Sequence, residues 1–175
     1  MKLYHFVPKT MTGDILYPLN QLKTVYPNLY EQHVKKYDWR KEVMANRVPI
    51  LDCLWNDVLH FSPVHPSKVK NELVALGRDV PTLRAFELDA ESLPKSQTVI
   101  YNYLHEQREE KYTLPGNFVP FEVNELIGKD ILPERTKAYY REMLEQNKNP
   151  LAFIGVPHVL YQGTLNVSGL TAVTA

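Results

Sequence analysis

One cysteine, Cys53, stands in a chain of 175 residues. That excludes an internal disulfide and a zinc site built on clustered thiolates. Neither sign of charge is in excess: Lys and Arg number 20, and so do Asp and Glu. No net field therefore draws the whole molecule toward nucleic acid or an anionic membrane. No apolar run nears the roughly 18 residues that cross a bilayer, and Met1-Lys2-Leu3-Tyr4 opens no signal-peptide pattern. The expectation is a soluble, cytoplasmic protein with no membrane partner. The 7 glycines never cluster, so a P-loop or Rossmann phosphate cradle is excluded.

What is plentiful is tyrosine, at 11, and proline, at 13, within an ordinary hydrophobic fraction of 44%. Fixed turns and ring-lined surfaces follow, rather than disorder. The length suits one globular domain over 1–175, able to bury about 70% of the surface of its unfolded chain.

Lys2 to Val7 is apolar on both faces and predicts a strand inside a sheet. A helix is predicted from Pro18 toward Val25, then a longer helical stretch from Tyr26 to Asn46, broken near Asp38 and Trp39. Val48 to Asp52 and Val58 to Phe61 read as extended. Pro66 and Ser67 open a helix that carries Val69, Leu73 and Leu76 and ends at Gly77. Leu83 to Leu88 and Gln97 to Leu104 alternate as strands, and His105 to Tyr112 reads as an exposed, charged connector. Phe118 to Val123 returns to strand character, and Pro133 to Asn147 is an amphipathic helix. Leu151 to Ile154, Val159 to Tyr161 and Leu165 to Val167 predict three short strands in meander order. Helices concentrate in the N-terminal half, one more precedes the C-terminal strands, and regular βαβ alternation is missing. The fold class is therefore α+β with a mixed or antiparallel sheet.

The stretch from Leu51 to Pro66 is the densest in reactive side chains, holding Asp52, Cys53, Trp55, Asp57, His60 and His65. Pro63 lies between the two histidines and forbids the helical pairing that would aim both at one ion. No metal is expected; His60 reads as half-buried in a strand and His65 as the cap of the following helix. Cys53 has no cation or helix N-terminus to activate it, and Asp52 beside it would raise its pKa, so it reads as a small core residue.

Leu3-Tyr4-His5-Phe6 on the first strand, an early helix, and a strand ending in Leu59-His60-Phe61-Ser62 before the next helix together resemble the opening of ADP-ribosyltransferase-fold proteins. The resemblance implies that His5, with Tyr4 beside it, hydrogen-bonds the ribose of NAD, and that Ser62, with His60, frames the nicotinamide. It also implies a carboxylate from Phe121 to Ile127, with Glu125 first and Glu122 as runner-up. That group would stabilise the oxocarbenium-like centre formed as the nicotinamide–ribose bond breaks. NAD would be the cofactor, and an unknown protein or nucleic acid the acceptor. This chain departs from the family at Val7 and Pro8, where glycine and threonine often follow the histidine, and it has no acid from Leu151 onward.

A second reading takes Tyr26, Tyr37, Tyr101, Tyr103, Tyr139 and Tyr140 as the rigid contact area of a non-catalytic module that captures a protein or a nucleotide-like ligand. Rings gathered away from His5 would favour capture, whereas His5, Ser62 and a glutamate in one cleft would favour the enzyme. In the plainest reading, His5 is a hydrogen-bonded core histidine, and Glu122 and Glu125 are surface acids. Only Lys35, Lys36, Arg40 and Lys41 speak for nucleic-acid binding.

Overall fold

The computed structural model describes residues 1–38, 40–103, 113 and 115–175. The connector expected at His105 to Tyr112, the strand end at Leu104, and Trp39 lie outside the described residues. In chain order the elements are β1 (Lys2–Phe6), β2 (Ile15–Leu16), α1 (Leu19–Val25), α2 (Pro27–Val34), β3 (Arg47–Val48), β4 (Cys53–Leu54), β5 (Leu59–Phe61) and α3 (Pro66–Ala75). They continue with β6 (Arg84–Asp89), β7 (Thr98–Tyr101), β8 (Phe118–Pro120), α4 (Glu134–Glu145), β9 (His158–Tyr161), β10 (Leu165–Asn166) and β11 (Thr171–Thr174). This is the expected α+β fold, and its strand pairs are antiparallel.

Proline punctuates the helices. Pro18 precedes α1, and Pro27 opens α2 where its missing N–H costs nothing, so the predicted long helix begins directly after Tyr26 and its regular part ends at Val34. A 3-10 turn over Lys35–Tyr37 and another over Lys41–Ala45 replace the rest of that helix. At α3 the expected cap is present: His65 Nδ1 accepts from the Ser67 N–H at 3.1 Å. Gly77, with φ 81°, follows the helix end.

Two sheets carry the core. One has the order β1-β6-β11 and the other β5-β9-β7-β8. In the second, Leu160 lies opposite His60, and Tyr101 opposite both His158 and Phe118. Alternation therefore sets His60, His158, Leu160, Tyr101 and Phe118 on one face and Leu59, Phe61, Val159 and Ile100 on the other. The latter set packs with Leu3 and Leu88 from the first sheet in the main core. Leu160, Tyr101 and Phe118 instead pack with Val48, Cys53 and Val58. Cys53 is thus the buried core residue expected, and burial pushes its thiol up to about 11, helped by the charge of Asp57.

Three expectations are corrected. β1 is the edge of its sheet, with β6 in the centre, and it meets β5 only through the Tyr4 and Ser62 pair. Leu151 to Ile154 forms turns rather than a strand. Its carbonyls are taken by side chains of α4: Tyr140 O–H donates to Ala152 O, and Thr136 O–H donates to Ile154 O at 2.8 Å. No neighbouring strand is needed to satisfy them. The C-terminal meander is absent as well. β9 inserts between β5 and β7, β10 pairs with β2, and β11 pairs with β6, because hydrophobic faces created early in the chain are covered by its end.

Phe61 is 1% exposed between the two sheets. Phe61→Ala should destabilise the fold by about 3–5 kcal/mol in denaturant unfolding. Ile127 is 75% exposed, and Ile127→Ala should stay within about 0.5 kcal/mol of the wild type. Equal losses at both positions would contradict this core.

Candidate functional site

Between β1 and β5 the sheet is incomplete. Tyr4 and Ser62 exchange both backbone hydrogen bonds, Tyr4 N–H to Ser62 O and Ser62 N–H to Tyr4 O, each at 2.9 Å. An antiparallel ladder would next join Phe6 to His60, but the bridge at Tyr4 and Ser62 is isolated. The His60 carbonyl instead receives the His5 ring, with Nδ1 at 2.8 Å. A carbonyl can only accept, so Nδ1 carries the proton and Nε2 is left as an acceptor. The strands part at this point and a cleft of about 520 Å³ opens beside His5.

The wall opposite is aromatic, and the turn Trp55–Asp57 builds it. Asp57 accepts from Leu54 N–H at 2.7 Å and from Asn20 of α1 at 2.7 Å. Asn56 accepts from the Tyr37 hydroxyl at 2.8 Å. Trp55 presents its edge geometry to His60 at 4.7 Å, Tyr101 at 5.4 Å and His158 at 5.8 Å between centroids. Its carbonyl receives His60 Nε2–H at 2.8 Å, which fixes the second imidazole's tautomer. Tyr103 extends the wall, 5.0 Å from Tyr101 and 6.0 Å from His158.

These rings stay neutral near pH 7. Burial lowers His5 and His158 to about 4. His60 lies well below the usual histidine range, through burial first and then the neighbouring His158. Lys36 and Arg40 also line the cleft. Among the described lining residues there is no carboxylate.

The structure brings together four of the residues read from the sequence: Tyr4, His5, His60 and Ser62 all line the cleft. Besides the two histidines, the other two also have part of their capacity engaged. The Tyr4 ring packs edge-on against His65 at 4.9 Å, and Ser62 Oγ accepts from Val64 N–H at 3.0 Å. Glu125 and Glu122 are elsewhere. Glu125 sits on a 3-10 turn over Val123–Leu126, 59% exposed and 4.0 Å from Lys129. Glu122 precedes that turn and pairs with Lys95 at 2.5 Å. Neither lines the cleft. Among the described residues, no group of three His, Cys, Asp or Glu is arranged to hold a metal ion.

Four of the six highlighted tyrosines, Tyr26, Tyr37, Tyr101 and Tyr103, line the same cleft as His5, whereas Tyr139 and Tyr140 belong to α4 and pack in a separate cluster with Val69 and Leu73 of α3. Sequence reading missed His158, which reaches the cleft through its register opposite Tyr101. Its only local signal was Pro157 before an apolar run. Lys36, named from the sequence only among the basic residues that speak for nucleic-acid binding, lines the cleft from the 3-10 turn after α2. Compared with models of known families, with curated proteins and with solved structures, the chain matches none. No helix among the described residues is long and apolar enough to cross a membrane.

The neutral imidazoles predict an acid-sensitive fold. The folded pKa of His5 and of His158 lies near 4 against an ordinary 6.5, so below 6.5 the unfolded chain binds the additional protons. Stability should be whole above about pH 6.5 and fall toward pH 4, by about 1.4 kcal/mol per pH unit for each ring that stays neutral. Urea unfolding at pH 7, 6 and 5 measures the slope; a flat profile would mean that the rings are hydrated and charge freely.

Proposed function

We propose that the cleft is an NAD site and that the chain is an ADP-ribosyltransferase-like protein, breaking the nicotinamide–ribose bond and passing ADP-ribose to a protein or nucleic-acid acceptor. The observation that carries this reading is the His5 imidazole. It replaces a rung of the sheet, and its Nδ1 is committed to the His60 carbonyl at 2.8 Å. Its Nε2 is thereby left to accept from a ribose hydroxyl in a cleft of a nucleotide's size. Trp55, Tyr101, Tyr103 and His158 supply flat surfaces for a planar ring, with the rigidity that makes aromatic contacts favourable. Neutral imidazoles suit the ribose better than charged ones would, because positive charge develops on the sugar as nicotinamide leaves.

The binding half of this reading has geometry behind it, and the bond-breaking half rests on the family resemblance. Bond cleavage calls for a carboxylate near the ribose, and Glu125 and Glu122 stand outside the cleft. The same fact, with four tyrosines around His5, favours a second reading in which the cleft captures a nucleotide-like ligand without turning it over.

Calorimetric titration with NAD, with released nicotinamide followed by mass spectrometry, separates the two. His5→Ala should weaken NAD binding about tenfold or more. It should also cost about 1–3 kcal/mol of stability, since the His60 carbonyl loses its donor. Glu125→Gln should leave NAD affinity unchanged, because its exposed carboxylate lies outside the cleft. Binding with nicotinamide release supports the transferase, binding without release supports capture, and no binding at millimolar NAD removes both readings of the ligand.

A further inference from the structure

β11 lies at the outer edge of the sheet β1-β6-β11. Its inner side is engaged throughout: Ala175 and Leu83 exchange both backbone hydrogen bonds at 2.9 Å, and the register continues unbroken through Val173 opposite Ala85 to Thr171 opposite Glu87. Bonded and non-bonded pairs alternate along an antiparallel ladder, so the N–H and C=O groups of Ala172 and Thr174 point away from β6. Among the described residues no strand or loop pairs with them.

A bare strand edge is normally guarded by a charge, a proline or a bulge. β8, at the far edge of the second sheet, is three residues long and ends in Pro120. β11 has no such guard: it reads Thr-Ala-Val-Thr, uncharged and rich in the β-branched residues that favour strand pairing. Thr171 and Thr174 are exposed, and Ala172 and Val173 are half-buried.

We propose that β11 pairs with β11 of a second copy of this chain, antiparallel about a two-fold axis at Val173. This interface is independent of the ligand reading of the cleft. The register argues for a second copy as the occupant. With the axis at Val173, Ala172 faces the partner's Thr174 and Thr174 faces the partner's Ala172, so the same unpaired groups satisfy one another in four N–H···O bonds. A shift of one residue would set outward groups against inward ones and lose all four. Val173 meets its own symmetry mate in the close, non-bonded position, where cross-strand side chains approach most nearly. Phe6 lies opposite Ala85, and Ala85 opposite Val173, so the join carries one apolar row across both copies. No charge in either strand opposes it. The sheet becomes six-stranded, in the order β1-β6-β11-β11-β6-β1, with its two β1 strands about 24 Å apart. Each cleft stays on the side of β1 away from the join.

Sedimentation velocity of the full chain from about 10 μM to about 1 mM is the test. Strands of four residues make a small interface, so the dissociation constant should lie at about 10–500 μM. Over that range the Ala172 and Thr174 amides should gain protection from hydrogen exchange, while Val173, already facing Ala85 on the bonded side, should change little. Ala172→Pro removes an outward donor from each copy, and Thr174→Lys sets a charge on the exposed edge; each should weaken the dimer about tenfold or more. Thr174→Lys should keep its thermal midpoint within about 3 °C of the wild type in dilute solution, which excludes misfolding as the cause. A wild type that stays monomeric at the highest concentration would overturn the proposal, and so would a dimer that survives both variants. If that monomer's β11 amides shift on adding an extended Thr- and Val-rich peptide, the edge takes a foreign strand and the self-pairing is wrong.

Discussion

A single side chain takes the place of backbone at the junction of the two sheets. Tyr4 and Ser62 close one pair of hydrogen bonds, and where the ladder should continue the His60 carbonyl accepts from His5 Nδ1 at 2.8 Å. A buried carbonyl without a donor costs about 1–3 kcal/mol, so the imidazole makes the separation of β1 from β5 tolerable. Without it the strands would either zip together and close the cleft or leave the carbonyl bare. The same bond selects the His5 tautomer and leaves Nε2 as an acceptor, so the architecture and the proposed ligand chemistry depend on one contact.

The remaining walls are held by a second group of polar contacts. The turn Trp55–Asp57 ties α1 through Asn20, the 3-10 turn at Lys35–Tyr37 through Tyr37, and β5 through the bond from His60 to the Trp55 carbonyl. Each partner comes from a different part of the chain. This makes the cleft a rigid construction rather than a gap between loops, and it keeps aromatic faces exposed to the cleft that burial alone would have collapsed. Its electrostatic character follows from the same crowding: imidazoles kept neutral by desolvation at one side, and Lys36 and Arg40 around Tyr37 at the mouth.

The order of legibility in this chain tracks the distance over which each signal acts. Helices α3 and α4 could be read because their proline starts and apolar spacing lie within a dozen residues, and the His65 cap lies two residues from the N–H that it accepts. Leu151 to Ile154 was misread as a strand because its apolar run is real but its carbonyls are taken by Tyr140 and Thr136, which no local pattern reveals. Tyr4, His5, His60 and Ser62 were found from short motifs and do converge. Glu125 and Glu122 were placed by the same kind of motif and do not join them.

Local composition by itself determined the α+β class, the want of a glycine-rich phosphate loop, and the two strands whose histidines meet. Those are properties of residue type and short spacing. Tertiary structure alone decided that β9 enters between β5 and β7 to deliver His158, that β1 touches β5 at one pair only, and that a turn after α2 carries Lys36 to the cleft. Strand pairing joins segments a hundred residues apart through backbone groups that every residue possesses, so the choice among partners is made by which hydrophobic faces remain to be covered. The position of a carboxylate relative to the cleft depends on that choice, and the sequence around it carries no record of the outcome.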